Sequence, residues 1–387
     1  MVRYLILIGF LLGTVTVGSA QPGLHLTVDY QYGRLLVVED FLRGENALGR
    51  RLTAFAALGV QLTRQRPHYR AWEQRHRYPI RGYGLRRFWL DHPAALGRPV
   101  AAYRYFQGVL VPGGRLRLSY RSELGLSTGW KPYDYRSNSF NNLMGSRMNA
   151  YVYLGLDARV VLGAQWEAQV GYGFSHFSNA NVRRPNAGLN AHSLNLGLRY
   201  RPRPHPPHPD CAPLPAFRPY TETLVSVFGG VERRLYYLAG LDSTRVNDGL
   251  LHGLGGVSVL RARRISAKSA FGLGATLYYR SAAAAEVIVA DRLLRRTNRG
   301  LRADNLQFSL FPSYAFTFDR FSALVQAEIY LHRPQARTFA RRLRQKIGLR
   351  YRITDRLFAA AILNAKEFTV AEFLEWHVGY RLGGPEK

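Results

Sequence analysis

The segment WEAQVGYGFSHFS at positions 166–178 alternates between two kinds of side chain. One set is apolar until its last two members: Trp166, Ala168, Val170, Tyr172, Phe174, His176 and Ser178. The other set is polar or small: Glu167, Gln169, Gly171, Gly173 and Ser175. A period of two residues is that of a β-strand, whose successive side chains point to opposite faces. The segment therefore predicts a strand with one apolar and one polar face.

A histidine and a serine end the apolar face of this strand. Residues two apart on a strand point the same way and are about 7 Å apart at Cα, so His176 and Ser178 can meet. A serine hydroxyl beside an imidazole is the arrangement of a nucleophile and its general base. On an outward apolar surface, the pair indicates an enzyme whose substrate is a lipid.

The same alternation recurs along the chain and predicts an all-β fold. It is clearest in 115–130, 341–354 and 372–382, where leucine and aromatic residues oppose charged residues. Strands are expected near 24–37, 51–65, 81–90, 99–112, 115–130, 148–162, 166–180, 190–202, 221–236, 252–264, 268–280, 305–319, 321–332, 341–354, 356–365 and 372–382.

The number of these segments is even, as a closed bacterial outer-membrane barrel requires. Composition agrees, because 13% of the residues are aromatic, 24 are tyrosine and one is cysteine. Aromatic residues collect at both interfaces of membrane barrels, and one cysteine allows no internal disulfide. We therefore predict a transmembrane outer-membrane antiparallel β-barrel of about sixteen strands. The alternative is an eight-stranded barrel followed by a C-terminal β unit.

Residues 1–20 have the pattern of a signal peptide. Arg3 precedes an apolar run over 5–17, and the small residues at 18–20 form a cleavage site. The apolar run is too short to span a bilayer comfortably as a helix. We expect cleavage near Ala20 and a location in the outer membrane of a Gram-negative cell.

The formal net charge is +29, with 54 Lys and Arg against 25 Asp and Glu. Such a charge is typical of proteins that bind nucleic acid, but the export signal argues against that partner. We expect no nucleic acid, and instead the phosphates of lipopolysaccharide at the cell surface, together with outer-membrane lipid. Arginines in a solvated lumen or in basic loops explain part of the charge without any partner. The sequence leaves the oligomeric state open.

A proline-rich stretch separates two groups of strands. Residues 201–213 read RPRPHPPHPDCAP, and such a stretch is extended and cannot join a central strand. We expect a periplasmic linker at 203–219. It would join one half of the barrel at 21–202 to further barrel strands at 220–387.

Motifs for metal or nucleotide chemistry are missing from the sequence. It has no His-Glu-x-x-His pattern and no phosphate-binding loop. His205, His208 and Cys211 in the proline-rich stretch match no common zinc spacing. We therefore expect neither a metal nor a cofactor.

The strand at 166–178 and the loop after it resemble a known family. The string HFSNA at 176–180, followed by PNAGLN at 185–190, is similar to the active-site signature of PagL-type lipid A 3-O-deacylases, whose longer relatives are acyloxyacyl hydrolases. The resemblance implies an outer-membrane barrel that hydrolyses an ester of lipid A. Further segments resemble the longer, Bacteroidetes-type members and extend the likeness over roughly 70–202: Trp72, 77–79, Gly82, Gly84, 96–97, 130–134 and 142–146.

We expect Ser178 to be the nucleophile, His176 its base and Asn190 the residue that orients the imidazole. The alternation of the following strand puts Asn190 on the same side as the other two. Well-known members of the resembled family carry a glutamate at this position. An asparagine can orient a histidine, as in Cys-His-Asn proteases, but it cannot stabilise the imidazolium by charge. We therefore expect slower chemistry, or support from Asp134 or His192.

The turn after the serine is the expected oxyanion hole. Backbone amides at Asn179 and Ala180 are suitable donors, and the resemblance implies that the side chain of Asn186 is another. Gly188 is expected to allow a tight backbone bend between the two strands.

Loop lengths predict which end of the barrel faces outward. The connections at 111–114 and 162–165 are tight turns, those at 131–147 and 181–189 are longer, and outer-membrane barrels keep their long loops outside. The serine and histidine then lie at the outer-leaflet boundary, where lipid A presents its ester-linked chains. We thus predict an outer-membrane serine esterase that removes an acyl chain from lipid A. The alternative is a non-enzymatic barrel, either an anion-preferring pore or a lipopolysaccharide-binding protein.

Overall fold

The computed structural model describes residues 23–65, 70–202, 214–234, 250–283, 285–290, 293–296, 302–333, 343–366 and 370–384. The predicted signal peptide at 1–20 and residues 203–213 of the predicted linker lie outside these ranges. Residues 214–219 have no regular secondary structure. Among the helices in these ranges, none has the length and apolar character that a membrane span requires.

The first half of the chain forms eight antiparallel strands. They are β1 (Leu24–Leu35), β2 (Ala54–Arg64), β3 (Ile80–Leu90), β4 (Gly97–Val111), β5 (Leu116–Trp130), β6 (Met148–Val161), β7 (Trp166–Ser178) and β8 (Leu189–Tyr200). Three short helices lie between them: α1 (Asp40–Arg43), α2 (Ala71–Arg75) and α3 (Pro93–Leu96).

The second half adds ten strands, of which β12 and β13 pair only with each other. They are β9 (Tyr220–Arg234), β10 (Leu250–Arg264), β11 (Ser269–Arg280), β12 (Val287–Ala290), β13 (Leu293–Arg296), β14 (Leu306–Phe318), β15 (Phe321–His332), β16 (Leu343–Arg352), β17 (Leu357–Lys366) and β18 (Val370–Gly383). A 3-10 helix at Ala303–Asn305 precedes β14.

Each half closes into its own barrel of eight strands. β1 pairs with β2 and also with β8, from Leu26 opposite Tyr200 to Leu35 opposite Ala191. β9 pairs in the same way with β10 and β18. The predicted all-β fold and number of barrel strands are confirmed, and the strands divide as the eight-stranded alternative has it. A single continuous barrel is excluded because the β8–β1 ladder leaves no free edge for a ninth strand.

Charged side chains fill the interior of the first barrel. Arg86 lies 2.7 Å from Asp29 and 2.8 Å from Glu123, and Arg121 lies 3.0 Å from Asp29. All four side chains are fully shielded from solvent. Buried charges persist only when they are paired and hydrogen-bonded. The inward arginines therefore serve the packing of the barrel.

The interior of the second barrel is filled in the same way. Lys346 lies 2.9 Å from Glu328 and 3.6 Å from Glu375, and Arg280 lies 2.6 Å from Glu232. Barrels of eight strands are just wide enough for side chains to fill them. Both lumens are thus packed polar cores.

The outward faces of both barrels are apolar. They carry exposed leucine, isoleucine, valine and aromatic side chains, such as Leu85, Leu126, Leu194, Leu273 and Ile347. Exposed apolar surface of this extent is unusual for a protein surrounded by water. It matches the band of residues that faces lipid in membrane barrels.

Short helices and a long loop cover one end of the first barrel. α1, α3 and the loop 131–147 enclose an apolar cluster that includes the buried Phe41 and Leu96. The side chain of Asn141 donates to the carbonyl of Ala95 at 3.1 Å and so ties the loop to α3. This covered end has the longer connections, and β7 ends there.

Candidate active site

The last residues of β7 point in alternate directions. His176 and Ser178 lie on the outward side of the barrel, which also carries the exposed Phe174. Phe177 points inward, is 2% exposed and stacks on Tyr151 with ring centroids 5.2 Å apart. This buried ring anchors the backbone between the two polar side chains, so they keep a defined position.

Ser178, His176 and Asn190 form a continuous chain of hydrogen bonds. The Oγ of Ser178 is 2.9 Å from Nε2 of His176, and Nδ1 of the same ring is 2.6 Å from Oδ1 of Asn190. An amide oxygen only accepts hydrogen bonds, so Nδ1 carries the proton and Nε2 accepts from the serine hydroxyl. This is the tautomer that a general base for Ser178 requires.

Strand pairing brings Asn190 to the imidazole. His176 and Asn190 are direct partners in the β7–β8 ladder, and residues opposite each other in an antiparallel sheet have Cβ atoms roughly 5 Å apart. The backbone of Asn190 is held as well, because its carbonyl accepts the N–H of Leu36 at 2.8 Å. The separation of serine and asparagine along the chain therefore follows from this register and from the length of the turn.

The turn between β7 and β8 bends sharply just after the serine. Ala180 and Asn181 have positive φ angles of 53° and 63°, a conformation that non-glycine residues rarely adopt. Asn179 stabilises the bend twice. Its side chain donates to the carbonyl of Arg183 at 2.8 Å, and its backbone N–H donates to Oδ1 of Asn186 at 3.0 Å.

These contacts change the expected set of oxyanion donors. The backbone N–H of Asn179, a suitable donor on sequence grounds, is engaged by Asn186. The amide nitrogen of Asn186 is instead buried without a hydrogen-bond partner among the described residues. An unsatisfied buried donor of this kind is available to an oxygen that gains negative charge. The roles of Asn186 and of the Ala180 N–H stay predictions.

Gly188 allows the second half of the turn to pass close to the imidazole. Its φ angle is +77°, and a Cβ at this position would lie 3.0 Å from the carbonyl oxygen of Phe177 and 3.3 Å from Cε1 of His176. Its N–H donates to the carbonyl of Leu143 at 3.1 Å, which ties the turn to the loop 131–147. Any side chain at position 188 would therefore press on the ring.

A cavity of about 310 Å³ opens beside Asn190. Its lining combines the apolar Leu36 and Val38 with Asn186 and Arg184. Binding cavities typically have apolar walls and a few polar groups that orient the ligand. This lining suits a ligand that has both a hydrocarbon part and an anionic part.

Asp134 and His192 do not support the histidine in the way suggested from sequence. Hydrogen bonds from Ser137 and from the backbone of Arg136 hold the pKa of the exposed Asp134 carboxyl below its ordinary value. The ring of His192 contacts that of Tyr172, with centroids 5.8 Å apart. Both ring nitrogens of His176 are engaged, one by Ser178 and one by Asn190, so neither Asp134 nor His192 takes the place expected for a glutamate.

Two other serines have features of an esterase nucleophile, but their surroundings differ from those of Ser178. The string GLSTG at 125–129 has the spacing of a nucleophile elbow, yet Ser127 lies within β5 and its hydroxyl donates to the carbonyl of Asn149 at 3.1 Å. Ser226 lies 3.1 Å from His377, whose other ring nitrogen is 2.9 Å from Glu375. That second group points into the lumen of the second barrel, where all its members are buried.

The Ser226 group was not expected from sequence. The sequence feature that could have indicated it is the spacing of His377 and Glu375, which lie two residues apart on the polar face of one strand. Ser226 comes from another strand, far away in the sequence, and is brought to them by the pairing of β9 with β18. In the described part of the chain, no three His, Cys, Asp or Glu side chains are grouped closely enough to hold a metal ion.

Each half of the chain matches a known protein family. Residues 58–199 match the family model described as lipid A 3-O-deacylase (PagL), and residues 222–384 match the model described as acyloxyacyl hydrolase, C-terminal domain. No curated protein matches the sequence.

Solved structures similar to this chain include an enzyme and two channels. A crystal structure of the outer membrane enzyme PagL is 14% identical, with 44% of this chain and 97% of that chain covered and a TM-score of 0.32. A mutant of the Rh. blastica porin is 9% identical, with coverage of 93% and 100% and a TM-score of 0.18. A deletion mutant of the TodX monoaromatic hydrocarbon channel is 6% identical, with coverage of 94% and 91% and a TM-score of 0.18.

The two family models together span most of the chain, one for each barrel. The predicted resemblance is therefore confirmed for the first half, and the second half, which resembled nothing from its sequence pattern, has a family as well. The chain belongs to the PagL-type lipid A 3-O-deacylase and acyloxyacyl hydrolase family.

Proposed function

We propose that this protein is an outer-membrane serine esterase that removes an ester-linked acyl chain from lipid A. Ser178 is the nucleophile, His176 the general base, and Asn190 the residue that positions the imidazole. Asn186 and the backbone N–H of Ala180 are the oxyanion donors. Lipopolysaccharide is the substrate, and the surrounding outer-membrane lipid is the solvent of the outward face.

The observation that carries this proposal is the hydrogen-bond chain on the lipid-facing side of β7. With 2.9 Å from the serine to Nε2 and 2.6 Å from Nδ1 to the amide oxygen, the imidazole is held in the tautomer that accepts a proton. A nucleophile within reach of its base, with the base oriented by a third group, is the signature of covalent catalysis.

Acylation follows from this geometry. The Oγ–H of Ser178 transfers its proton to Nε2 of His176 while Oγ attacks the ester carbonyl carbon. The carbonyl oxygen becomes an oxyanion, and the side-chain amide of Asn186 donates to it. When the intermediate collapses, the C–O bond to the lipid A hydroxyl breaks, and that oxygen takes the proton back from Nε2. The product is an acyl-serine and a lipid A that has lost one chain.

Deacylation repeats these steps with water as the nucleophile. His176 takes a proton from the water, the hydroxide attacks the acyl-serine, and Oγ leaves with the proton from Nε2. In both steps the imidazole becomes a cation for a moment. Asn190 holds this cation in place but does not neutralise it, so we expect a slower turnover than in family members that carry a glutamate here.

The position of the pair supports a lipid substrate. β7 carries exposed apolar side chains up to Phe174, and the pair follows at the end of the barrel that has the long connections. In outer-membrane barrels, that end faces the cell surface. The net charge of +29 favours association with the phosphates of lipopolysaccharide.

A pore is the weaker alternative because ion pairs and large side chains pack both lumens. Arg86, Arg121, Tyr151 and Tyr153 are fully buried within the first barrel, and Tyr278 is fully buried within the second. Ions would have to displace these paired groups to pass. Binding of lipopolysaccharide without hydrolysis is the remaining alternative, and the lipid A of cells that express wild type or Ser178→Ala distinguishes it from hydrolysis.

The test compares lipid A from cells of a Gram-negative host without a deacylase of its own. Wild type, Ser178→Ala and Ser226→Ala are expressed, and lipid A is analysed by mass spectrometry. We expect wild type and Ser226→Ala to remove one ester-linked chain, and Ser178→Ala to lose this activity by roughly 10⁵-fold. Ser226 is the matched control, since its hydroxyl also contacts a histidine but lies in a closed lumen. Unchanged lipid A with all three folded proteins would leave only a binding role.

A further inference from the structure

A cleft of about 540 Å³ lies between the two barrels. The first barrel lines it with Phe106, Tyr120, Leu154 and Phe174, and the second with Phe316 and Phe318. All six side chains belong to the outward faces of the barrels, and Phe174 and Leu154 are also exposed. The cleft is therefore an apolar groove that opens to the lipid surrounding the protein.

The cleft is continuous with the outward face that carries the catalytic histidine. Phe174 on β7 is opposite Leu154 on β6, and Leu154 is opposite Ser122 on β5. Ser122 is in turn opposite Phe106 on β4. This line crosses four strands, each about 4.8 Å from the next, and begins one outward-facing position before His176. The cleft thus begins two outward-facing positions before Ser178, about 13 Å away along β7.

Aromatic rings from both barrels close the far end of the cleft. The rings of Phe106 and Phe318 have centroids 5.4 Å apart, and those of Tyr120 and Phe316 have centroids 6.3 Å apart. Such pairs pack favourably beyond the area that they bury. Phe106 lies in the half of β4 that leads into a short turn, which is the half away from Ser178. The cleft therefore has a floor.

Polar contacts hold the two walls together at both ends. Near the catalytic serine, the side chain of Asn181 donates to the carbonyl of Glu372 at 3.0 Å. Beyond the aromatic floor, Nε2–H of His76 donates to the carbonyl of Thr317 at 3.0 Å. Contacts between the two barrels thus set both the width of the cleft and the position of its aromatic floor.

We propose that this cleft binds the acyl chain of the ester that Ser178 cleaves, and that the second barrel sets the chain length that fits. This rests on the proposed esterase function, which it deepens. The carbonyl lies at the serine, the hydrocarbon tail runs past Phe174, and the methyl end reaches the floor at Phe318. A tail longer than the cleft meets the rings, and a shorter one leaves apolar surface unfilled.

The chemistry of the walls selects this occupant. A saturated chain that leaves disordered lipid for the cleft gains close dispersion contacts with the apolar walls. The polar part of the substrate has its partners elsewhere, in the cavity lined by Asn186 and Arg184. One site thus takes the charged part of the lipid, and the cleft takes its tail.

Ala323 offers a direct way to shorten the cleft. It lies on β15 among the cleft residues, and its small side chain leaves room for a larger one. Ala323→Phe is compared with wild type in hydrolysis of p-nitrophenyl palmitate and p-nitrophenyl butyrate in the same detergent micelles. We expect palmitate hydrolysis to fall about tenfold, because the added ring takes space that the tail would occupy, while butyrate hydrolysis stays within about twofold.

The matched control is Ala275→Phe. Ala275 lies on β11 of the same barrel, on the outward face between the exposed Leu273 and Leu277, and it does not line the cleft. This variant should keep the wild-type ratio of palmitate to butyrate hydrolysis. An equal loss of both esters in Ala323→Phe would point to a folding defect. In that case Phe318→Ala tests the cleft instead. It removes an aromatic ring from the floor without adding bulk, so the enzyme should then prefer esters with longer acyl chains.

The outcomes separate the two proposals. If wild type hydrolyses neither ester nor lipid A, the esterase function fails. If wild type is active, Ser178→Ala is inactive, and neither Ala323→Phe nor Phe318→Ala changes the chain-length preference, the esterase stands and the cleft proposal is overturned. In that result, ordinary membrane lipid fills the space between the barrels.

Discussion

His176 and Asn190 face each other across the β7–β8 ladder, with 2.6 Å between Nδ1 and Oδ1. The contact is short and directional, yet the amide carries no charge. It selects the tautomer of the ring without neutralising the imidazolium that forms when Ser178 loses its proton. In the proposed mechanism Asn190 is thus a positioning residue, whereas a glutamate would combine orientation with charge.

Replacing Asn190 tests this division of roles. Asn190→Ala should lower kcat by roughly 10²- to 10⁴-fold, because the imidazole loses the partner that selects its tautomer. Asn190→Asp keeps the size of the side chain and adds a charge, so kcat should equal or exceed that of wild type. Hydrolysis of p-nitrophenyl butyrate measures both variants. Wild-type activity in Asn190→Ala would remove Asn190 from the mechanism.

Asn186 offers a test of the oxyanion hole with two variants. Asn186→Asp keeps an oxygen that accepts the N–H of Asn179 but loses the amide nitrogen, whereas Asn186→Ala loses both. Both variants should lower kcat by about 10²- to 10³-fold with little change in KM, as expected for a donor used only in the transition state. If Asn186→Asp were as active as wild type, the Nδ2 group would have no part in catalysis.

Gly188→Ala should inactivate the site without unfolding the barrel. The new methyl group would lie 3.3 Å from Cε1 of His176, and displacement of a catalytic group by about 1 Å can lower the rate 10²-fold. Gly49→Ala is the matched control, since Gly49 also has a positive φ, of 60°, but no atom within 4 Å of the added Cβ. Ester hydrolysis and heat-dependent gel migration are measured for both. Equal activities of the two variants would contradict this account of Gly188.

The contact of His76 with the second barrel should depend on pH. His76 lies in the connection after α2, outside the strands. Burial, and then the positive charge of Lys268, lowers the pKa of His76 from 6.5 to about 4, while its hydrogen bond to Thr317 acts in the opposite direction. The unfolded chain therefore binds a proton at a higher pH than the folded protein does. The stability from His76 is full above pH 6.5 and declines as the pH falls toward 4.

The measurement is urea unfolding of the protein in lipid vesicles at about pH 7.5 and about pH 5. In the folded protein, Nδ1 of His76 lies 3.3 Å from the hydroxyl of Tyr120, and Nε2 lies 3.0 Å from the carbonyl of Thr317. Wild type should lose more stability between these pH values than His76→Gln, whose amide can donate to Thr317 and accept from Tyr120 but does not titrate. Parallel losses in the two proteins would show that His76 has no part in the pH dependence.

Much of each barrel can be predicted from a local property of the chain. Successive side chains of a strand point to opposite faces, so the alternation in 166–178 already separates outward from inward residues. For this reason the sequence alone predicts that His176 and Ser178 lie beside each other on one outward face. The number of barrel strands follows from counting such segments.

Other features depend on contacts between residues far apart in the chain. Alternation is the same for a strand in a barrel of eight or sixteen, so only the pairing of β8 with β1 decides that the first barrel closes. The N–H of Asn179 looked free because its partner, the side chain of Asn186, reaches it only through the fold of the turn.

The relation between the two barrels is the clearest case of information that no local pattern carries. Phe316 and Phe318 look like ordinary lipid-facing residues in the sequence, since an apolar side chain suits lipid and a neighbouring barrel equally well. Their contacts with Tyr120 and Phe106 arise from how two finished surfaces pack. The alternation within a strand thus determines which of its residues point outward. What those outward residues contact, lipid or the other barrel, depends on how the two folded barrels pack.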